Sequence, residues 1–398
     1  MKIALYNLTT TTKHGGVETF VWEIGRELAG RGHDVTLFGG RGGVERDDPR
    51  IAVRTYPYIP RERWGRNPAL RKSLNLLKLL ERLSMARHAL PDLIAGHYDI
   101  IQVSKPYDFP VAALARRRSG ARVLYNSQGT DFFPGDRFFR RAIDGAFACS
   151  HYNAAMVEAR YLFPIDVSYN GFDAATFRPL PPDPALRTSL SPDGAPLLLY
   201  VGRLVTFKGL DHLLEAVALL SRDSGVRAQG AAVGNGAGVH VLPPRLVLAG
   251  DGPHRAALER RARDLGIAGR VAFAGAQPNA ELPRYHAVSD ALVLPSTDHE
   301  TFGIAACEAM ACARPVVGAR TGGIPEVVRD GETGLLVPPA DAWALAAALA
   351  RLLADERLRR RMGAAGRERA LAEFTWERVA DRVVRCYERA LAGETMRR

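Results

Sequence analysis

The sequence predicts two α/β units, each a parallel sheet covered by helices on both faces. Three observations carry this. Apolar strand-like runs alternate with helical patterns along most of the chain, the rhythm of β-α-β units. A Pro-dense stretch over 177–184 interrupts that rhythm, which then restarts, so the stretch reads as a linker. The chain has 398 residues, room for roughly two to three domains. With 47% apolar and 24% charged residues it has the profile of an ordinary globular protein. A largely disordered chain, a collagen-like fibre and a small disulfide scaffold are thereby excluded.

In the first unit, 2–6 reads as a strand, 18–31 as a helix and 34–38 as a strand. Residues 100–103, 122–125 and 145–149 are further strands, with a helix over 112–118. In the second, 197–201 is a strand, 210–220 a helix, 246–249 a strand and 254–265 a helix. Strands over 271–274 and 291–295 and a helix over 304–313 follow. Between 222 and 244 the chain is rich in Gly, Ala and Val, with Gly234, Gly236 and Gly238 alternating. No strand ends and no helix starts in the order a phosphate loop needs, so this reads as a flexible surface insertion.

Charge narrows the partners. The net charge is +11, with 26 basic against 18 acidic residues in 1–180 and 28 against 25 in 181–398. The N-terminal half therefore faces an anionic partner, either a phospholipid surface or a phosphorylated substrate. No nucleic-acid-binding module accompanies the charge. No apolar run approaches the roughly 18–20 residues that span a bilayer, and the N-terminus turns polar too soon for a signal peptide. Cys149, Cys307, Cys312 and Cys386 form no C-x-x-C pair, which argues against a metal ribbon or redox motif and fits a reducing cytosol. Only six of the 54 basic residues are lysine. Lys208 alone lies beyond residue 180, which singles it out.

Three strand-to-helix junctions in the second unit carry chemistry. After 197–201 come Gly202, Arg203, a short loop, Lys208 and a helix. Ligands of open α/β sheets sit at the carboxyl ends of strands, and two cations beside a helix start suit a diphosphate. After 246–249, Gly250 and Gly252 permit close backbone passage. After 291–295, Glu300 lies in a loop, Gly303 precedes a helix, and Glu308 follows within it. The two carboxylates, with seven residues between them, can accept hydrogen bonds from the hydroxyls of one nucleotide sugar. Glu308 sits among Ala, Cys and Met, so a buried carboxylate there calls for a partner.

The set Gly202, Arg203, Lys208 and Gly209, the run from Ala249 through Gly250, Asp251 and Gly252 to Pro253, and Glu300 and Glu308 with Phe302 and Gly303 resemble the signature of family 4 retaining glycosyltransferases of the GT-B fold. Gly15-Gly16-Val17-Glu18, Tyr169-Asn170-Gly171-Phe172-Asp173, Thr321-Gly322-Gly323 and Phe374-Thr375-Trp376 resemble further landmarks of that family. The resemblance implies two Rossmann-like domains facing an interdomain cleft. It implies an acceptor-binding domain over 1–176, a Pro-rich linker over 177–195 and a nucleotide-sugar domain over 196–375. A helix over 376–398 would cross back to the first domain.

The resemblance also implies roles. Glu300 would hold the donor sugar's hydroxyls, and Glu308 the ribose. Arg203 and Lys208 would stabilise the leaving diphosphate. Amides near Phe302, Gly303 and Ile304 would bind phosphate, with Gly202 and Gly250 lining the donor. Gly16 would approach the transferred sugar or the donor phosphate. Gln128 stands where the family usually carries histidine; it can hydrogen-bond a sugar but cannot titrate near neutrality. Asp131 and His14 fall on the acceptor side, although capping a helix is an equal role for Asp131. No Asp-x-Asp triplet occurs, and neither metal nor cofactor is expected.

The stretch 61–88 interleaves basic residues and Trp64 with Leu70, Leu74, Leu77, Leu80 and Leu83 at helical spacing. It reads first as a core-facing helix with a solvated basic face, and second as a peripheral contact with the inner face of a membrane. The function expected is metal-independent, retaining transfer of a sugar from a UDP- or GDP-sugar to a hydroxyl of a saccharide, lipid-linked or small-molecule acceptor, in the cytoplasm. Two alternatives stay open: a GT-B-like epimerase or phosphorylase, and a catalytically weak sugar-nucleotide-binding protein.

Overall fold

Each unit is organised around a central strand that is buried on both faces, which is why these strands read as continuous apolar runs without alternation. The computed structural model describes residues 1–13, 15–222 and 242–393. The chain divides into one unit of Met1–Gly171 with Trp376–Arg398, and a second of Phe172–Thr375.

The first sheet comprises β1 (Lys2–Tyr6), β2 (Asp34–Gly40), β3 (Ile51–Tyr56), β4 (Ile100–Val103), β5 (Arg122–Ser127), β6 (Gly145–Ala148) and β7 (Asp166–Val167), in the order β3-β2-β1-β4-β5-β6-β7. Every pairing is parallel. The second comprises β8 (Leu197–Val201), β9 (Arg245–Ala249), β10 (Val271–Gly275), β11 (Ala291–Leu294), β12 (Val316–Ala319) and β13 (Gly334–Val337), in the order β10-β9-β8-β11-β12-β13, again all parallel. Both are doubly wound, Rossmann-like sheets. The winding reverses between β1 and β4 in one and between β8 and β11 in the other. Crevices for ligands open at the carboxyl ends of strands at such reversals.

One face of the first sheet is covered by Gly16–Gly30 and the C-terminal helix Trp376–Leu391, through Phe20, Ile24, Val379 and Val383. Trp376 meets Phe20 edge-on at 5.8 Å, and the Tyr387 hydroxyl donates to Gln102. The opposite face is covered by Leu74–Ala95, Phe109–Ser119 and His151–Tyr161, through Met85, Ala89, Phe109, Ala112 and Tyr161.

Several elements differ from expectation. Strand β3 was not legible because it carries Arg54 and Thr55 outward at the sheet edge. The Pro-dense stretch is no bare tether. Phe177 is buried, and Pro184–Leu190 form a helix in which the Asp183 carboxylate caps the amides of Ala185 and Leu186 at 2.9 and 3.2 Å. Proline at a first helical position starts a helix at no cost, because its missing N–H has no partner there. Over 61–88 the chain forms two helices, Arg61–Trp64 and Leu74–Ala95. Leu77 points inward, whereas Leu74 and Leu83 are exposed, so the leucine spacing does not mark one buried stripe. Most of the 222–244 insertion, residues 223–241, and His14 lie outside the described residues. Cys149, Cys307, Cys312 and Cys386 are buried and form no disulfide with one another. Among the described residues no helix is long and apolar enough to cross a membrane.

Candidate active site

The second unit gathers charge at its winding reversal. Strand β8 ends at Val201 and β11 at Leu294. The loops that follow are tied together where Thr297 donates to the Phe207 carbonyl from its amide at 2.9 Å and its hydroxyl at 3.1 Å. This tie brings Lys208 and Glu300, 92 residues apart in sequence, into an ion pair at the mouth of the sheet. Ser296 donates to the same Glu300 carboxylate at 3.3 Å. The Lys208 ammonium also lies 5.5 Å from the centre of the Phe207 ring. Gly209 makes the junction possible. Its φ is +68°, and a Cβ there would stand 2.0 Å from the Pro295 carbonyl oxygen.

Gly202 and Gly250 bring the ends of β8 and β9 into backbone contact. The Gly202 amide donates to Ala249 at 3.1 Å, and the Leu204 amide to Asp251 at 3.0 Å. A Cβ on Gly250 would lie 1.8 Å from the Gly202 carbonyl oxygen. Arg203, between these contacts, is exposed and has no ion-pair or side-chain hydrogen-bond partner among the described residues.

Gly303, with φ +94°, caps the helix Ile304–Ala311. Phe302 is buried edge-on against Phe374 at 5.7 Å, which fixes where the helix begins. The first amides of a helix have no partner inside it; the Ala306 amide already donates to the Gly303 carbonyl at 2.9 Å, which leaves those of Ile304 and Ala305 as the ones that can face an anion. Glu308 is the fifth residue of this helix and is only 7% exposed. The partner expected for it is not supplied by the protein: among the described residues its carboxylate has no hydrogen bond or ion pair. Burial pushes its pKa up to about 7. A desolvated carboxylate without a protein partner is an acceptor in wait for hydroxyl donors.

The first unit carries a second cluster beyond the carboxyl ends of β4 and β5. Asp131, beyond the end of β5, accepts from Lys78 at 2.7 Å and from Lys105 at 3.2 Å. Burial alone would raise its pKa, but Lys105 and Lys78 outweigh that and hold it at about 2. Asp131 caps no helix; the helical turn after it, Asp136–Ala142, begins behind Gly135. Lys78 also lies 5.6 Å from the Tyr107 ring centre. Gln128 donates to the Asn126 side chain at 2.9 Å, which orients its amide. Gly16 opens its helix and is exposed, and Glu18 in the first turn accepts from Thr9. Sequence reasoning missed Lys78 and Lys105 as site residues. Their rarity in an arginine-rich chain was the available signal, the same one that singled out Lys208.

Comparison with known proteins agrees with this geometry. The profile described as Glycosyl transferases group 1 matches residues 184–369, and Glycosyltransferase Family 4 matches 14–176. A GDP-mannose-dependent alpha-(1-6)-phosphatidylinositol monomannoside mannosyltransferase of Mycolicibacterium smegmatis is 30% identical over 92% of each chain. A D-inositol 3-phosphate glycosyltransferase of Thermobifida fusca is 28% identical over 95% of this chain and 89% of its own. Among solved structures, sucrose-phosphate synthase of Thermosynechococcus elongatus superposes with a TM-score of 0.74 at 24% identity, over 98% of this chain and 99% of its own. The chain belongs to glycosyltransferase family 4: it has the GT-B fold and transfers sugar from a nucleotide sugar.

Proposed function

We propose that this family 4 glycosyltransferase is a metal-independent, retaining enzyme whose second unit holds a nucleoside-diphosphate sugar and whose first unit holds the acceptor. The observation that carries this is the Lys208–Glu300 pair at the winding reversal of the second sheet. In the structure the two charges satisfy each other. When donor binds, Glu300 turns to sugar hydroxyls and Lys208, with the unpaired Arg203, turns to the diphosphate. Glu308 accepts from the ribose hydroxyls. The amides around Phe302, Gly303 and Ile304 bind phosphate oxygens, with Gly202 and Gly250 at the donor's edge.

In the transfer, the acceptor hydroxyl oxygen bonds the anomeric carbon on the face from which the diphosphate leaves. The bond from that carbon to the phosphate oxygen breaks, and the departing phosphate takes the acceptor's proton. Configuration is kept. Arg203 and Lys208 stabilise the charge that grows on the leaving group, the kind of term that dominates many catalysed transfers. Gly16 faces the donor phosphate, and Gln128 and Asp131 position the sugar and the acceptor. The relatives named for GDP-mannose and for inositol acceptors make GDP-mannose the first donor to test and a polyol or lipid-linked hydroxyl the first acceptor. Exposed Leu74, Leu76 and Leu83 beside basic residues support a peripheral, cytoplasmic station at a membrane through 61–88.

The test is a panel of GDP- and UDP-sugars read by thermal shift and by slow release of free nucleotide, since a ligand that prefers the native state raises Tm. One donor should stabilise and be hydrolysed by the parent protein, with Lys208→Ala and Glu308→Ala losing both effects. Absence of stabilisation by every donor would overturn the assignment of this site.

A further inference from the structure

The first unit wears its apolar surface on one side. Most of the large apolar side chains that the described residues expose belong to the layer of helices covering a single face of the first sheet. They are Leu74, Leu76 and Leu83 on Leu74–Ala95, Leu114 on Phe109–Ser119, Phe138 in the turn Asp136–Ala142, and Leu162 just past His151–Tyr161. Phe138 is 87% exposed and Leu162 63%. The turn and the helix end are neighbours, since Arg140 donates to the Tyr161 carbonyl at 3.3 Å. The two long helices are joined through the buried Arg82–Asp108 pair.

Charge is sorted across the same layer. Between residues 71 and 144 there are thirteen cationic and seven acidic side chains. Four of the seven acids turn inward: Glu81, Asp108, Asp136 and Asp144 are buried. Asp108 holds Arg82, Asp136 holds Arg160, and Asp144 holds Arg116 and Arg122. The cations turn outward. Arg117, Arg118, Arg137 and Arg141 are exposed, and none has a carboxylate partner among the described residues. Glu158, the exposed acid on His151–Tyr161, is already engaged by the Ile165 amide at 2.9 Å. Apolar tips interleaved with unpaired arginines, backed by buried carboxylates, match an anionic headgroup layer over acyl chains.

We infer that this helical layer, with Phe138 as its most protruding apolar tip, docks the enzyme on an anionic phospholipid bilayer. Phe138 and Leu162 enter the acyl boundary while the flanking arginines engage lipid phosphates. The inference rests on the reading of the enzyme as peripheral at a membrane. It moves the contact from 61–88 alone to a face completed by Phe109–Ser119 and the turn Asp136–Ala142.

The test uses the full chain in co-sedimentation with phosphatidylcholine vesicles, with and without phosphatidylglycerol, at low and high salt. The parent protein should bind the anionic vesicles and be released by salt. Phe138→Ser should weaken binding on the order of tenfold, and the pair Arg137→Glu with Arg141→Glu by at least about tenfold. Trp343→Ser, which removes an exposed tryptophan from the second unit, should leave binding unchanged. Phe138→Trp should shift its fluorescence to the blue on anionic vesicles only. Binding by the Phe138→Ser and arginine variants as tight as the parent protein's would overturn the inference. So would self-association of the parent protein that Phe138→Ser abolishes without any vesicle binding, which would make the face an interface between copies. Absence of vesicle binding by the parent protein, with its nucleotide-sugar hydrolysis intact, would refute the membrane reading alone and leave the transferase reading standing.

Discussion

Glu308 should make both stability and donor binding depend on pH. Its carboxyl sits at about 7 in the folded protein against a reference of 4.5, and burial is the cause. The folded pKa lies above the unfolded one, so between these values the native state keeps a proton that the unfolded chain gives up. Stability therefore falls as pH rises from about 4.5 to about 7 and is flat beyond. The gap is worth about 3 kcal/mol as an upper bound. Glu308→Gln removes the titration and keeps the shape. It should match the parent protein near pH 4.5 and exceed it by up to about 3 kcal/mol above pH 8, at roughly 2–4 °C of Tm per kcal/mol for a unit of this size. Ribose hydroxyls donating to the carboxylate favour its ionised form. Nucleotide binding should then release close to one proton at pH 6 and almost none at pH 8.5. Calorimetric titration in two buffers of different ionisation enthalpy reads that number directly. A Tm difference between Glu308→Gln and parent that ignores pH, or binding at pH 6 with no proton release, would refute the reasoning.

Three further outcomes follow from the same geometry. Lys208→Arg should behave as a severe change, lowering turnover by about 10²–10³-fold, because a planar guanidinium cannot stand in for a compact ammonium in a site shared with Glu300; steady-state nucleotide release reads it. Gly250→Ala forces a Cβ against the Gly202 carbonyl and should cost about 3 kcal/mol of stability while abolishing the donor's thermal shift. In the first unit, burial opposes and Lys105 and Lys78 overcome it to hold Asp131 at about 2, so its pairing is complete above about pH 4 and lost as pH falls through 2. The stability difference between Asp131→Asn and parent should be constant from pH 5 to 8 and shrink only in acid, as chemical denaturation at each pH would report.

Much of the architecture is legible because doubly covered strands leave an unambiguous trace. The segments Leu197–Val201 and Ala291–Leu294 are apolar without alternation, and each runs into Gly, charge and then helix. What fails to read is short or marginal. Ile51–Tyr56 lies at an edge, Asp166–Val167 has two residues, and Val316–Ala319 and Gly334–Val337 have four each and contain glycine. The leucine repeat over 61–88 misleads because the long helix begins only at Leu74 and turns Leu74 and Leu83 outward. Spacing alone does not say which side of a helix meets the core.

The site divides along the same line. Residues that share one strand-to-helix junction, such as Gly202 with Arg203 and Lys208, or Glu300 with Glu308, are visible as patterns because the sheet delivers them together. Asp131 and its lysines are not, since 53 and 26 residues separate them and only the return of β4 and β5 to adjacent positions joins them. Yet composition held a trace of both. Of six lysines, Lys78, Lys105 and Lys208 each pair with a carboxylate beyond a strand end. If lysine here were only a rare synonym for arginine, its positions would be scattered. An ammonium is a compact charge on a flexible stem, and it can exchange a carboxylate for a ligand oxygen without needing a matching fork. That property suits the role proposed for Lys208, which would leave Glu300 for a phosphate. Under the proposed function, the same logic marks the carboxyl ends of β4 and β5 as the place where acceptor oxygens would compete with Asp131 for Lys78 and Lys105.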